Sequence, residues 1–111
     1  MVMPTSPSSF TKQPYEEFVI GISFKKRLDS DETITAKTVT ATLSSADATS
    51  TVIAGSEIGT DEYAGYILIG VKGGVTGSTY KITTKITTDK QLPDDSYQKF
   101  ESDINMRIVE T

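Results

Sequence analysis

Apolar side chains recur at every second position in four stretches of the chain. Phe18, Ile20, Ile22 and Phe24 alternate with Val19, Gly21, Ser23 and Lys25, and Val39, Ala41 and Leu43 alternate with Thr38, Thr40 and Thr42. Tyr80, Ile82, Thr84, Ile86 and Thr88 alternate with Lys81, Thr83, Lys85 and Thr87. Near the end, Phe100, Ile104, Met106 and Ile108 share one parity, while Glu101, Asp103, Asn105 and Arg107 share the other. Successive side chains of a strand point to opposite faces, so this period predicts half-buried strands over 16–25, 38–43, 80–88 and 100–109. A shorter strand is expected at 52–54. No stretch of ten or more residues repeats at 3.6, so no helix beyond a single turn is expected.

Residues 66–71 break the alternation, because Tyr66, Ile67, Leu68, Ile69 and Val71 are apolar on both parities. Such a strand is either central in its sheet with cover on each side, or it offers one face to another chain. On the second reading Ile67 and Ile69 are candidate contact residues, together with Tyr63 just upstream.

The intervening segments carry turn chemistry. Residues 44–50 are Ser, Ala, Asp and Thr only, Gly55 and Gly59 punctuate the middle, and Gly73, Gly74 and Gly77 allow positive φ in a tight corner. Tyr80 opens a long strand just after that corner, the placement of a tyrosine corner, whose hydroxyl bonds back to upstream backbone. Lys25, Lys26 and Arg27 end the first strand, either as a solvated strand end or as an anion site. Asp29, Ser30, Asp31 and Glu32 lack the Gly and the ligand spacing of a twelve-residue calcium loop and read as a turn. A loop is expected over 89–98. Pro4, Pro7 and Pro14 mark residues 1–14 as a flexible or extended N-terminal arm that orders against a partner, with Phe10 its candidate contact.

Six to seven strands separated by turns, in about 95 residues, predict an all-β fold: a single antiparallel immunoglobulin-like β-sandwich over 15–111. A small barrel of the OB type is the alternative, although it normally carries a helix between its middle strands. The 111 residues suffice for one core. Ser and Thr together number 29, with Thr in excess, which suits pleated surfaces half open to water.

Composition narrows the chemistry. With no Cys, His or Trp, the chain has no thiol nucleophile, no His-based acid–base pair and no nitrogen or sulfur set for zinc or haem. No metal, cofactor-binding or catalytic residue is therefore assigned. Net charge is −4, which favours neither a nucleic-acid backbone nor an anionic membrane surface as partner. No run approaches the roughly 20 apolar residues of a membrane span, and the N-terminus has no basic, apolar and cleavage regions of an export signal.

The run from Gly73 to Thr88 reads Gly-Gly-Val-Thr-Gly-Ser-Thr-Tyr-Lys-Ile-Thr-Thr-Lys-Ile-Thr-Thr, and the chain closes with Ile104-Asn-Met-Arg-Ile-Val-Glu110. Both resemble small structural proteins of tailed bacteriophages and prophages, which show a G-G-x-x-G-x-x-Y-x-[VI]-T-x-x-[VI]-T-T run and a final strand ending in a hydrophobic residue, Val and Glu. The likeness extends to Phe10-Thr-Lys-Gln-Pro14 leading into the first strand, and to Asp31-Glu-Thr-Ile34 leading into the next. This chain departs from the pattern in lacking a Trp in its early strands and in carrying a longer segment, 90–96, where a short Asp-Gly turn is usual. The resemblance implies a non-enzymatic virion component, made in the host cytoplasm, that decorates the capsid or sits in the head–tail region. Its partners would be other virion proteins, capsid or connector, and further copies of itself.

Two other classes compete. An immunoglobulin-like module binding carbohydrate or a cell surface could stack sugars on Tyr63, Tyr66 and Tyr97. A hydrolase would need paired carboxylates such as Asp61-Glu62 or Asp94-Asp95, but neighbours on a strand point to opposite faces and these pairs fall in predicted turns.

Overall fold

A computed structural model describes residues 9–110, and in it the period-two runs are strands. Along the chain these are β1 (Ser9–Lys12), β2 (Phe18–Ser23), β3 (Ile34–Leu43), β4 (Ala46–Asp47), β5 (Ile53–Ile58), β6 (Tyr66–Val71), β7 (Thr79–Gln91) and β8 (Tyr97–Ile108). A one-turn helix, α1 (Thr49–Val52), precedes β5, and 3₁₀ turns occupy Lys25–Arg27 and Asp61–Tyr63. The strands form a five-stranded sheet in the order β1-β8-β7-β3-β4 and a three-stranded sheet in the order β2-β6-β5. Every pairing is antiparallel except β1 with β8.

The two sheets face each other as a β-sandwich. Ile20, Ile22 and Phe24 from the β2 segment and Ile67, Ile69 and Val71 from β6 line one inner wall. Tyr80, Ile82 and Ile86 from β7, Ile104, Met106 and Ile108 from β8, and Ala41 from β3 line the other. Alternation thus places one parity of each strand in a shared apolar layer, where burial contributes roughly 25 cal/mol per Å².

At the corner before β7, the Val75 N–H donates to the Tyr80 hydroxyl at 3.1 Å. Tyr80 is buried, and its hydroxyl ties the glycine-rich turn to the strand it starts, as the sequence led one to expect.

Several boundaries differ from the sequence reading: β3 begins at Ile34 rather than at 38, and β5 runs over Ile53–Ile58 rather than 52–54, with Val52 in α1. Residues 9–12, assigned to the arm, are β1, paired along the end of β8; residues 1–8 of that arm lie outside the described residues. β2 is shorter than 16–25, because Glu16 closes a turn onto Gln13 at one end and Lys25–Arg27 coils at the other. The turn assigned to 44–50 contains β4 and the first half of α1; with β1 and β4 the described residues hold eight strands, one beyond the expected range. Finally, β7 and β8 continue as a ribbon to a five-residue turn, 92–96, in place of the loop at 89–98. There the Leu92 N–H donates to the Ser96 carbonyl at 2.7 Å, and Asp95 takes the left-handed conformation.

Candidate protein interface

The sandwich has two outer faces of opposite chemistry. On the five-stranded sheet, the cross-strand rows are Thr38–Lys85–Glu101, Thr40–Thr83–Asp103 and Thr42–Lys81–Asn105. Lys81 lies 3.6 Å from Asp103 and Lys85 lies 4.0 Å from Glu101, both pairs open to water. A surface of threonines and interleaved opposite charges is satisfied by solvent and needs no cover.

On the three-stranded sheet, the outward rows pair Val19 with Gly70, Gly21 with Leu68, and Ser23 with Tyr66; Glu57 stands beside Leu68. Glu57 is the one charge among these positions. Val19 is 45% exposed, and Tyr66 and Leu68 are half-buried. A shallow groove of about 240 Å³ runs between Val19, Leu68, Gly70 and the Ala54–Gly55 bulge of β5. At the end of the face Tyr63 packs edge-on against Tyr66, with ring centroids 6.2 Å apart. The doubly apolar pattern of β6 is thereby explained: one parity makes the core and the other makes this face.

Ile67 and Ile69, expected on the docking face, are instead completely buried. They share the parity of Val71 and oppose Ile22 and Ile20 across the β2–β6 ladder, so they belong to the core. Tyr63 does reach the outer face. Phe10 is partly buried, packing edge-on against Phe18 at a centroid distance of 6.1 Å, which places it at the flank of the sandwich. Sequence reasoning missed Val19 and Leu68 as face-forming residues and named Tyr66 only as a ring that could stack sugars. The available signal was the alternation of β2: once Ile20 and Ile22 face inward, Val19 faces outward and antiparallel pairing assigns Leu68 to the same side.

The other candidate groups are engaged in local structure. Asp94 caps its own turn, accepting from the Ser96 N–H at 3.0 Å, while Asp61 and Glu62 lie in a 3₁₀ turn. Glu32 accepts from the Asp29 N–H at 3.0 Å, from Gln98 Nε2 at 2.9 Å and from the Thr88 hydroxyl, so it ties the 29–32 turn to both strands of the long ribbon. Asp29 pairs with Lys90. The Arg27 guanidinium lies 5.8 Å from the Phe24 ring centre and 6.0 Å from that of Phe100, and donates to the Glu101 carbonyl at 2.8 Å. Among the described residues no three His, Cys, Asp or Glu side chains are grouped to hold a metal ion, and no helix is long and apolar enough to cross a membrane.

The molecule is thus a small sandwich whose polar groups serve its own turns and which presents one weakly polar, tyrosine-bordered face, the frame of a structural protein. The family model described as Podophage GP4 fiber-tail adaptor protein gp77 matches residues 12–97, and the chain belongs to that family. It is a virion structural protein of a bacteriophage, whose partners are other virion proteins. No curated protein and no solved structure matches it.

Proposed function

We propose that this chain acts without catalysis as an adaptor at the junction of tail and fiber, and that it docks through the outer face of its three-stranded sheet. The observation that carries this reading is the contrast between the two outer faces. Val19, Tyr66 and Leu68 with Tyr63 form the apolar one, while the opposite sheet is covered by threonines and paired charges. Aromatic residues are enriched among the anchors of protein interfaces, and here Tyr63 and Tyr66 border the apolar patch that Val19 and Leu68 form.

The family's description favours the fiber–tail junction over the capsid surface as the site of action. Synthesis in the host cytoplasm alongside the other virion proteins belongs to the same reading. The sandwich itself we read as immunoglobulin-like: β8-β7-β3-β4 follow the order of the G, F, C and C′ strands, β2-β6-β5 follow that of B, E and D, and Tyr80 supplies the corner.

Particles of the parent phage assembled with Leu68→Glu test it. A carboxylate in the middle of the apolar face should weaken fiber attachment at least about tenfold, some 1.4 kcal/mol in the binding constant, and leave particles with fewer fibers. Thr83→Glu on the opposite face should leave fiber content unchanged. Wild-type fiber content with a correctly folded Leu68→Glu chain would remove the reading.

A further inference from the structure

The sandwich has four sheet edges among its described residues, and three of them carry a feature that discourages pairing with another chain. β1 is four residues long and turns Lys12 inward; β4 is two residues long and leaves much of β3 as the edge beside it, but that edge carries Lys37 and a bulge between Ile34 and Ala36; and β5 has its ladder interrupted by a bulge between Ile53 and Ser56, with Gly55 at positive φ. β2 has none of these. Phe18–Ser23 runs six residues without charge, proline or bulge, and among the described residues it pairs with a strand on one side only, that of β6.

The charges that flank β2 are arranged with opposite signs at its two ends. Glu16 and Glu17 precede the strand, and Lys25 and Lys26 follow it; all four are exposed. The side chains of Lys25 and Lys26 make no ion pair among the described residues. We propose that the β2 edge takes the β2 edge of a second copy of this chain, antiparallel, about a two-fold axis at Gly21.

In that register Ile20 stands opposite Ile22 and Phe18 opposite Phe24, so the apolar inner layers of the two copies continue into each other. The same arrangement brings the Glu16–Glu17 end of each strand to the Lys25–Lys26 end of the other, and the two-fold axis makes this meeting of opposite charges twice. A parallel arrangement would set like charges together at both ends. Isologous pairing of this kind closes at two subunits and joins two three-stranded sheets into one of six strands. The outer face that carries Val19 and Leu68 doubles in length without being covered. The proposal does not depend on the adaptor reading.

Light scattering and analytical ultracentrifugation on the full chain test it. The wild-type chain should show a concentration-dependent monomer–dimer equilibrium with a dissociation constant in the micromolar range or weaker, since a single strand pairing is small beside a standard interface of about 1,600 Å². Raising the salt should weaken it. The double variants Glu16→Lys/Glu17→Lys and Lys25→Glu/Lys26→Glu should each be monomeric; the second should keep the wild-type melting curve, while the first also loses the Glu16 carboxylate that accepts from the Gln13 N–H and should melt lower. Mixed together they should form a heterodimer, and all four substitutions in one chain should restore the homodimer.

A wild-type chain that stays monomeric at millimolar concentration overturns the proposal, as does a dimer indifferent to these reversals. So does a monomer whose β2 amides are protected from hydrogen exchange, because the edge would then be filled from within the same chain.

Discussion

Two buried polar side chains show how much a single position can cost or stabilise. Lys12 is almost wholly buried, yet its ammonium donates to the carbonyls of Gly73 at 2.6 Å, Gln13 at 2.7 Å and Pro14 at 3.4 Å. All three of its donors are engaged, which makes burial tolerable and fastens β1 to the corner that Tyr80 holds from the other side. Thr84 presents the opposite case. It lies on the inner face of β7 between Val39 and Ser102, and its buried hydroxyl finds no hydrogen-bond partner. Thr84→Val keeps the shape and removes the unmet group, so it should stabilise the sandwich by about 1 kcal/mol. A urea midpoint that falls rather than rises would show that the hydroxyl is satisfied after all.

Elements whose strands carry an apolar parity were legible before any coordinates. The runs at Phe18, Tyr80 and Ile104 needed only their alternation to place them in the core, and the tyrosine corner needed only the glycines before Tyr80. What escaped notice lacks such a signal. β1 has four residues, too few for a period, and earns its place through pairing with β8 and through Lys12. The ribbon beyond Thr88 has no apolar layer to pack on, so backbone ladders and the Leu92–Ser96 turn specify it. The candidate face was half legible: the apolar excess of β6 announced two surfaces, but only the register with β2 tells which parity is the core. The sequence also does not disclose why β5 and β6 can approach so closely. At Gly70 a Cβ would meet the Ala54 carbonyl oxygen at 2.4 Å, a backbone atom that can move only with its strand. Gly70→Ala should therefore cost roughly 1–3 kcal/mol and loosen β5. Hydrogen exchange should then speed up at Ser56 to Ile58 and leave β7 unaffected; equal rates in both variants would mean that the bulge absorbs the methyl group.

The whole molecule is held at its polar ends by carboxylates that its turns keep ionised. The Thr49 hydroxyl, and then its N–H, hold Asp47 below the ordinary carboxylate value. The Thr33 N–H followed by its hydroxyl does so for Asp89, and the Ser96 hydroxyl followed by its N–H for Asp94. A group whose value is lower in the folded than in the unfolded chain binds protons more weakly when folded. Its contribution is complete above the unfolded value, about pH 4, and is lost as the pH falls from there through the folded value. Stability should thus be level through neutral pH and decline in acid. On the alkaline side two lysines oppose each other. Asp29, by hydrogen bond and charge, raises the Lys90 value, a contribution present below the unfolded value and lost as the pH rises through the folded one. Burial lowers Lys12, a penalty present at neutral pH and relieved as the pH climbs from its folded value towards the unfolded one. The acid limb is therefore the diagnostic one. Asp89 bridges the 24–33 segment to β7 through the Thr33 N–H at 2.9 Å and its hydroxyl at 2.8 Å, so Asp89→Asn should flatten part of the decline in urea midpoint below pH 4. Combining it with Asp47→Asn and Asp94→Asn should flatten it further. An acid limb of unchanged slope in the triple variant would move the origin of acid sensitivity away from these turns and into the general charge of the chain.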